Sequence, residues 1–291
     1  MNESIYTGSI LTGSEIKKQI ELGNIEIDPY DESCINPNSY NVKLHPQLAI
    51  YNRNRSRNGN NEIILPIQEE FFNKLRKLNA SYHDRQIVQY SEYASRAQEL
   101  AKEYADVDAE LKKKYGINIY GSRAPYYKNY LNMSVSASLS YNIYDDDDEY
   151  YNKTALDMKS KNNLITFDIP DNGYVLRPGV LYLGRTIERT KTDKFIPMID
   201  GRSSIGRLGI WIHVSAGFGD IGFDGTWTLE ITAIEPVRIY PNVEIGQVCF
   251  HKPYGDIENL YRGRYYKQED ATESRFYLGK GYTNNDENQP Y

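Results

Sequence analysis

Two textures share this chain, and the contrast between them limits the folds open to it. From Ile67 to Tyr115 there is neither glycine nor proline, and the composition favours helix. After residue 155 the pattern reverses, with short apolar runs set between Gly, Pro, Asn and Asp turns. The candidate strands there are LITFDIPDNGYVLRPGVLYLGRTIE, KFIPMID, GIWIHVS, GTWTLEITA, VRIYP and GQVCFH. Many short strands at such spacing predict a β-sandwich or barrel. The helical stretch is therefore read as interrupting a mainly β core.

The N-terminal part belongs with that core. Thr12 and Glu15 form a T-x-x-E capping pattern, Ile16 and Ile20 share a helical face, and Gly23 supplies a stop. IEIDPY is extended, and Tyr40, Val42 and Leu44 alternate as in a strand with one buried face. Residues around 53 to 62 read as a loop. Tyr93, Ala97, Leu100, Tyr104, Val107 and Leu111 then recur at alternating steps of four and three, a coiled-coil-like seam. Phe71, Leu75, Leu78 and Tyr82 repeat the spacing earlier, so one long helix and a hairpin bent near Asn79 to Asp84 both fit. Met133 to Ile143 alternates like a strand, and the acidic run Asp145 to Glu149 reads as a solvated loop. The expected division is a β core of residues 1–56 and 153–291 with a helical-plus-strand insertion at 57–152.

Bulk composition removes several functions. A formal charge of −6 with no long basic block argues against duplex nucleic acid as a partner. A few focused arginines could still hold a small anion. The 2 cysteines, Cys34 and Cys249, are far apart and in no metal spacing, so neither a disulfide framework nor a Cys-rich zinc site is expected. MNESIYTGSILTG lacks the form of a secretory signal, and no segment has the apolar length of a membrane span. The expected compartment is the cytoplasm. The 27 tyrosines are consistent with a biased genome composition and carry little functional weight.

The chemically richest segment is DGRSSIGRLGIWIHVSAGFGDIGFDGTWTLEI, residues 200 to 231. GRSSIGR combines Gly201 and Gly206 for close backbone approach, the hydroxyls of Ser203 and Ser204, and the guanidinium groups of Arg202 and Arg207. That set suits phosphate oxygens. A glycine-dense turn carrying Asp220 and Asp224 leads into TWTLEI, where Thr226, Thr228 and Glu230 share one face and Trp227, Leu229 and Ile231 the other. A carboxylate in such a strand has two readings: an ion pair with an arginine such as Arg207, or a general base tuned by burial and a nearby guanidinium.

These residues resemble the dCTP deaminase branch of the dUTPase superfamily. ILTGSEIKKQIELGNIEIDPYDESCINPNSYNVKLHP resembles that family's opening, and HVSAGFGDIGFDGTWTLEI its central motif. IYPNVEIGQVCF looks like the strand pair after the catalytic strand, and RYYKQEDATESR like the C-terminal nucleotide-closing segment. The resemblance covers nearly all of residues 9–56 and 154–280. It implies a distorted β-barrel or jelly-roll-like dUTPase fold, with the insertion as an addition to it.

What the resemblance implies about roles runs along the chain. Arg202 and Ser203 would hold the triphosphate, with Ser204 shaping the turn. Arg207 would orient the catalytic water or leaving group beside the base Glu230. Ala216 would contact the base edge, Asp220 the sugar 3′-hydroxyl, and Phe223 would pack near sugar and base. Tyr261, Arg264, Tyr265 and Gln268 fall in the closing segment, Tyr261 with reach toward a phosphate. The implied substrate is a pyrimidine deoxynucleoside triphosphate with its own Mg2+, without zinc, in a homotrimer with shared sites. Gly217 in AGF resembles the bifunctional enzymes that take dCTP to dUMP, a small residue leaving room for a water near the α-phosphate. Deamination to dUTP only, dUTPase activity only, and a regulatory or decoy nucleotide binder are the alternatives. Asn41 stands where the family carries Asp and His45 where Gly is expected. Gly219 and Ile221 replace a branched residue and Pro, which predicts a looser turn around Asp220.

Overall fold

A computed structural model of the chain describes residues 10–52, 66–83, 90–115 and 155–279. The chain divides into two compact units, Met1–Tyr51 with Leu156–Tyr291, and Asn52–Ala155.

The first unit is mainly β. Helix α1 (Gly13–Glu21) starts at Thr12, whose hydroxyl accepts from the Glu15 amide at 3.3 Å. The reciprocal half of the capping box is replaced: Glu15 instead accepts from Gln19 Nε2 at 2.7 Å. Ile16 is fully buried and Gly23, at φ +70°, ends the helix in the left-handed region where glycine costs least.

The strands are β1 (Glu26–Asp28), β2 (Tyr40–Lys43), β3 (Gln47–Tyr51), β4 (Leu164–Asp168), β5 (Tyr174–Leu176) and β6 (Tyr182–Lys191). They continue with β7 (Ile196–Gly201), β8 (Ile210–Trp211), β9 (Asp224–Ala233), β10 (Val237–Ile239) and β11 (Glu244–His251). All named strand pairs are antiparallel. One sheet runs β4-β3-β6-β9-β8 with β1 on the far end of β6, a second runs β2-β11-β7, and β10 pairs β5. None of these described ladders closes on itself, so the mainly β class holds without a closed barrel.

The core gathers on one face of the large sheet. A Cβ added to Gly184 would meet Ile231 Cδ1 at 2.9 Å, Leu44 Cδ1 at 3.1 Å and Leu48 Cδ2 at 3.2 Å. Tyr40, Val42, Leu44, Leu48, Tyr182, Leu229 and Phe250 are also buried there, each contributing about 1.5–3 kcal/mol for a large apolar side chain removed from water. The alternation at Tyr40, Val42 and Leu44 reads correctly, but the other face of β2 is not exposed. Asn41 is buried as well, donating to Glu244 Oε2 at 2.9 Å and accepting from Asn36 Nδ2 at 2.6 Å. The Asn41 side chain thus uses both its donor and its acceptor inside the fold. An aspartate there would face the Glu244 carboxylate.

The second unit contains α2 (Pro66–His83), α3 (Tyr90–Glu103) and α4 (Ala105–Tyr115). Among its described residues Phe71 and Tyr104 form a buried pair, with ring centroids 5.4 Å apart, and Ile67, Leu75, Leu100, Val107 and Leu111 pack around them. Of the two arrangements the spacing allowed, the separate helices α2 and α3 fit the hairpin. The seam is divided at Tyr104, between α3 and α4. Residues 53 to 62, the alternating stretch Met133 to Ile143 and the acidic run Asp145 to Glu149 lie outside the described residues.

Candidate active site

Strand β9 supplies the central carboxylate. Its backbone sits between β6 and the continuation of β8: Leu183 pairs with Glu230, and the Glu230 amide donates to the Ile212 carbonyl at 2.7 Å. Leu229 and Ile231 point into the core, so Thr226, Thr228 and Glu230 point the other way. Paired residues of neighbouring strands share a face, which puts Leu183 and Arg185 of β6 and Ala49 and Tyr51 of β3 beside them. Glu230 is half-buried, and its carboxylate has no hydrogen-bond or ion-pair partner among the described residues.

The C-terminal segment lies across this face. Gln268 is buried; its side-chain Nε2 donates to the Thr226 carbonyl at 2.8 Å, and its backbone carbonyl accepts from the Thr226 backbone amide at 3.0 Å. Thr272 donates through its hydroxyl to Gln268 Oε1 at 2.7 Å, and its amide reaches Thr228 Oγ1 at 3.4 Å. Gly225 makes room for the segment: it has φ +151°, and a Cβ there would stand 2.8 Å from the Gln268 carbonyl. Burial holds the Arg185 guanidinium below its usual range, and its nearest carboxylate, Asp270, is 3.8 Å away.

The turn bearing Asp220 is better held than its substitutions predicted. Gly219 donates to the Pro197 carbonyl, Gly222 to the Thr192 carbonyl, each at 2.9 Å, and the Phe223 amide to Asp220 at 3.1 Å. A side chain at Gly219 would collide with Trp227 Cη2 at 2.5 Å, so packing demands the glycine. The expected looseness is corrected; the Asp220 side chain itself is exposed. Phe223 is buried against Trp227 at 4.7 Å and Tyr261 at 6.4 Å, centroid to centroid. The Tyr261 hydroxyl accepts from the Tyr265 amide at 3.1 Å, and burial raises its pKa. Tyr265 accepts in turn from the Arg275 amide at 3.0 Å, while Arg264 donates to the Gly279 carbonyl.

The GRSSIGR segment is arranged differently. Arg202 precedes a single helical turn, α5 (Ser203–Gly206), and Arg207 follows it. Arg202 Nη1 lies 2.5 Å from Glu244 Oε2, which ties this turn through Glu244 to Asn41 on β2. Ser203, Ser204, Arg207 and Ala216 are exposed, and Arg207 makes no ion pair with Glu230 within the chain. Gly201 and Gly206 face open space, where an added Cβ would meet nothing within 4 Å. The room at Gly217 is already taken, since a Cβ there would lie 2.5 Å from the Ile199 carbonyl and 2.7 Å from the His213 ring. That imidazole, whose Nε2 is 3.5 Å from Asp200 Oδ1, has no hydrogen-bond partner on either nitrogen.

Comparison with known proteins gives this arrangement a family. The model of the dCTP deaminase-like family matches residues 10–92 and 133–253. The chain belongs to the dCTP deaminase-like family. A relative named dCTP deaminase, dUMP-forming, from Cytophaga hutchinsonii is 44% identical over 268 residues, 92% of this chain and 96% of the relative. Another of that name, from Hathewaya histolytica, is 55% identical over 115 residues, 40% of this chain and 67% of the relative. Among solved structures, 2′-deoxycytidine 5′-triphosphate deaminase from Agrobacterium tumefaciens aligns over 84% of this chain and 49% of that chain, at 14% identity and TM-score 0.40. Among the described residues, no group of three His, Cys, Asp or Glu side chains is placed to hold a metal.

Within one chain, Gln268 is joined to Thr226 on the strand face that also carries Glu230, and Phe223 packs separately against Trp227 and Tyr261, while Arg207, Ser203, Ser204 and Ala216 stay outward. Residue-by-residue reading missed Tyr51, Arg185 and Thr272. Their only sequence signal was strand alternation and a place in the closing segment, because cross-strand neighbours are far apart in the chain.

Proposed function

We propose that this chain deaminates dCTP hydrolytically and then releases diphosphate, giving dUMP. The observation that carries the reading is the length of the family likeness: relatives named for that conversion are 43% and 44% identical across 92% of this chain. The half-buried, unpaired Glu230 supplies a group suited to the first step. Glu230 takes a proton from a water as its oxygen attacks C4 of cytosine, then returns the proton to the departing amine, and ammonia leaves. A second water displaces diphosphate from the α-phosphorus. General acid–base help of this kind is worth roughly 10²–10⁴-fold, so positioning supplies much of the remainder.

Arg202, Ser203 and Ser204 hold the triphosphate, which carries its own Mg2+. Asp220 takes the sugar 3′-hydroxyl, the backbone near Ala216 the base edge, and Gln268 with Tyr261, Arg264 and Tyr265 the closing role. Arg207 meets Glu230 across a subunit boundary of a homotrimer with shared sites. The exposed apolar side chains of the same stretch, Leu208, Trp211, Val214 and Phe218, favour a covered surface there. The compartment is the cytoplasm. Residues 57–152 are an addition to this catalytic core, and deleting residues 60–150 leaves a folded core if that is so; an insoluble product argues against it.

The test is product analysis with dCTP and with dUTP, each with magnesium. Ammonia and dUMP should form together from dCTP without accumulation of dUTP. Accumulating dUTP would reduce the reading to deamination alone. Tight nucleotide binding without ammonia, dUMP or diphosphate would make the chain a nucleotide binder.

A further inference from the structure

The segment over the Glu230 face has a far anchor that the family roles do not use. From Gln268 on β9 the chain crosses toward β3, where the Ser274 amide donates to the Tyr51 hydroxyl at 3.2 Å. The preceding residue, Glu273, has a largely buried side chain, with Oε1 3.8 Å from Lys161 Nζ. Tyr51 ends β3 and pairs with Leu164, the first residue of β4. Tyr51 and Lys161 therefore sit on either side of residues 52–155, where that segment leaves and rejoins the core.

Tyr51 also stands near the candidate base. It lies two residues from Ala49, which pairs with Leu183, which pairs with Glu230. All four share the face opposite the core. Burial raises the Tyr51 pKa, and the Glu273 and Glu230 carboxylates add to it. The phenol thus stays neutral, the form in which its oxygen accepts a backbone hydrogen bond while keeping its proton.

We propose that Tyr51, with Lys161 in support, is a positioning residue that fixes the far end of residues 268–274 over the Glu230 face. One end of the segment is fixed by Gln268 and the other by Tyr51, with Thr272 between them. Losing the far anchor leaves the near one in place, so the segment spends more time open while the base and its strand are untouched. The effect falls on nucleotide capture rather than on proton transfer. The proposal rests on the nucleotide reading above only for its kinetic consequence.

The experiment compares full-length wild type and Tyr51→Phe, which keeps the ring and removes only the acceptor. Amide exchange in the nucleotide-free protein should quicken by about tenfold at Ser274 and its neighbours, with β9 unchanged. KM for dCTP should rise about fivefold, the scale of one lost hydrogen bond, with kcat held within about twofold. Lys161→Ala should move both readouts the same way by less, its ion pair being exposed on the lysine side. Unchanged exchange overturns the anchor. Faster exchange with an unchanged KM, or a fall in kcat alone, overturns the positioning role. If wild type releases no ammonia from dCTP, the functional reading fails separately; the exchange comparison and the dissociation constant for dCTP then still decide the anchor.

Discussion

Residues 202–216 and residues 223–230 are neighbours in sequence, carry the two halves of the candidate site, and stand in opposite physical states. The first stretch turns Ser203, Ser204, Arg207 and Ala216 to solvent, together with exposed Trp211 and Val214. The second is buried from Phe223 to Trp227 and strapped by Gln268 and Thr272. A strand can satisfy its backbone within the sheet and offer one side chain, Glu230, to a face. In the first stretch Arg202 is already paired with Glu244, whereas the Arg207 guanidinium is exposed and makes no ion pair with Glu230. The contrast teaches that, within one chain, Glu230 is set on a packed and strapped face while the Arg207 stretch is left to solvent.

The largest expected effect tests the acid half. Glu230→Gln should abolish ammonia release from dCTP while nucleotide affinity stays within about tenfold, and retained deamination would remove Glu230 from the base role. Arg207→Ala comes next: turnover should fall by about 10²-fold, more than binding does, as for loss of a charge-stabilising donor. A pure loss of affinity would make Arg207 a phosphate clamp. Mixing the two inactive variants sharpens the comparison, because subunit exchange restores some sites with both residues intact if the halves meet across an interface. No recovery in a mixture shown to exchange subunits would return Arg207 to its own chain's Glu230.

Smaller effects probe the strapped region. Gly225→Ala places a methyl group against Gln268 at a backbone angle glycine favours, and should cost about 1–3 kcal/mol of stability, read from denaturant unfolding. Least in size is the effect of Glu188, whose carboxyl is buried on β6 and accepts from the Lys43 amide at 2.8 Å. Burial raises its pKa in the folded chain above the unfolded value. The folded state therefore holds its proton more tightly, and this contribution to stability is present at low pH and lost as pH rises through the raised value. Glu188→Gln should remove that decline and lift the neutral-pH Tm by a few degrees; an unaltered pH profile of Tm would show the carboxyl is not responsible.

Local patterns were legible where the chain itself enforces them. Thr12 caps α1, Gly23 ends it, and the alternation of TWTLEI sorts Glu230 from Leu229 and Ile231, because each depends on residues a few positions apart. The same kind of reading does not reach what surrounds Gly217, Gly219 and Asn41. Their neighbours are His213 and Ile199, Trp227 and Pro197, and Glu244, contacts that no local spacing encodes.

Sequence alone thus determined the mainly β class, the helical composition of the interruption and the candidate set of chemically able side chains. These follow from backbone preference, side-chain period and chemical type. Tertiary structure decided which of those groups meet. Strand register placed Tyr51 and Arg185 on the Glu230 face and laid the C-terminal segment across it, while leaving Arg207 free. Register is a cooperative property of packed sheets: shifting a strand by one residue exchanges its buried and outward faces, and the cost appears only when the whole core is assembled.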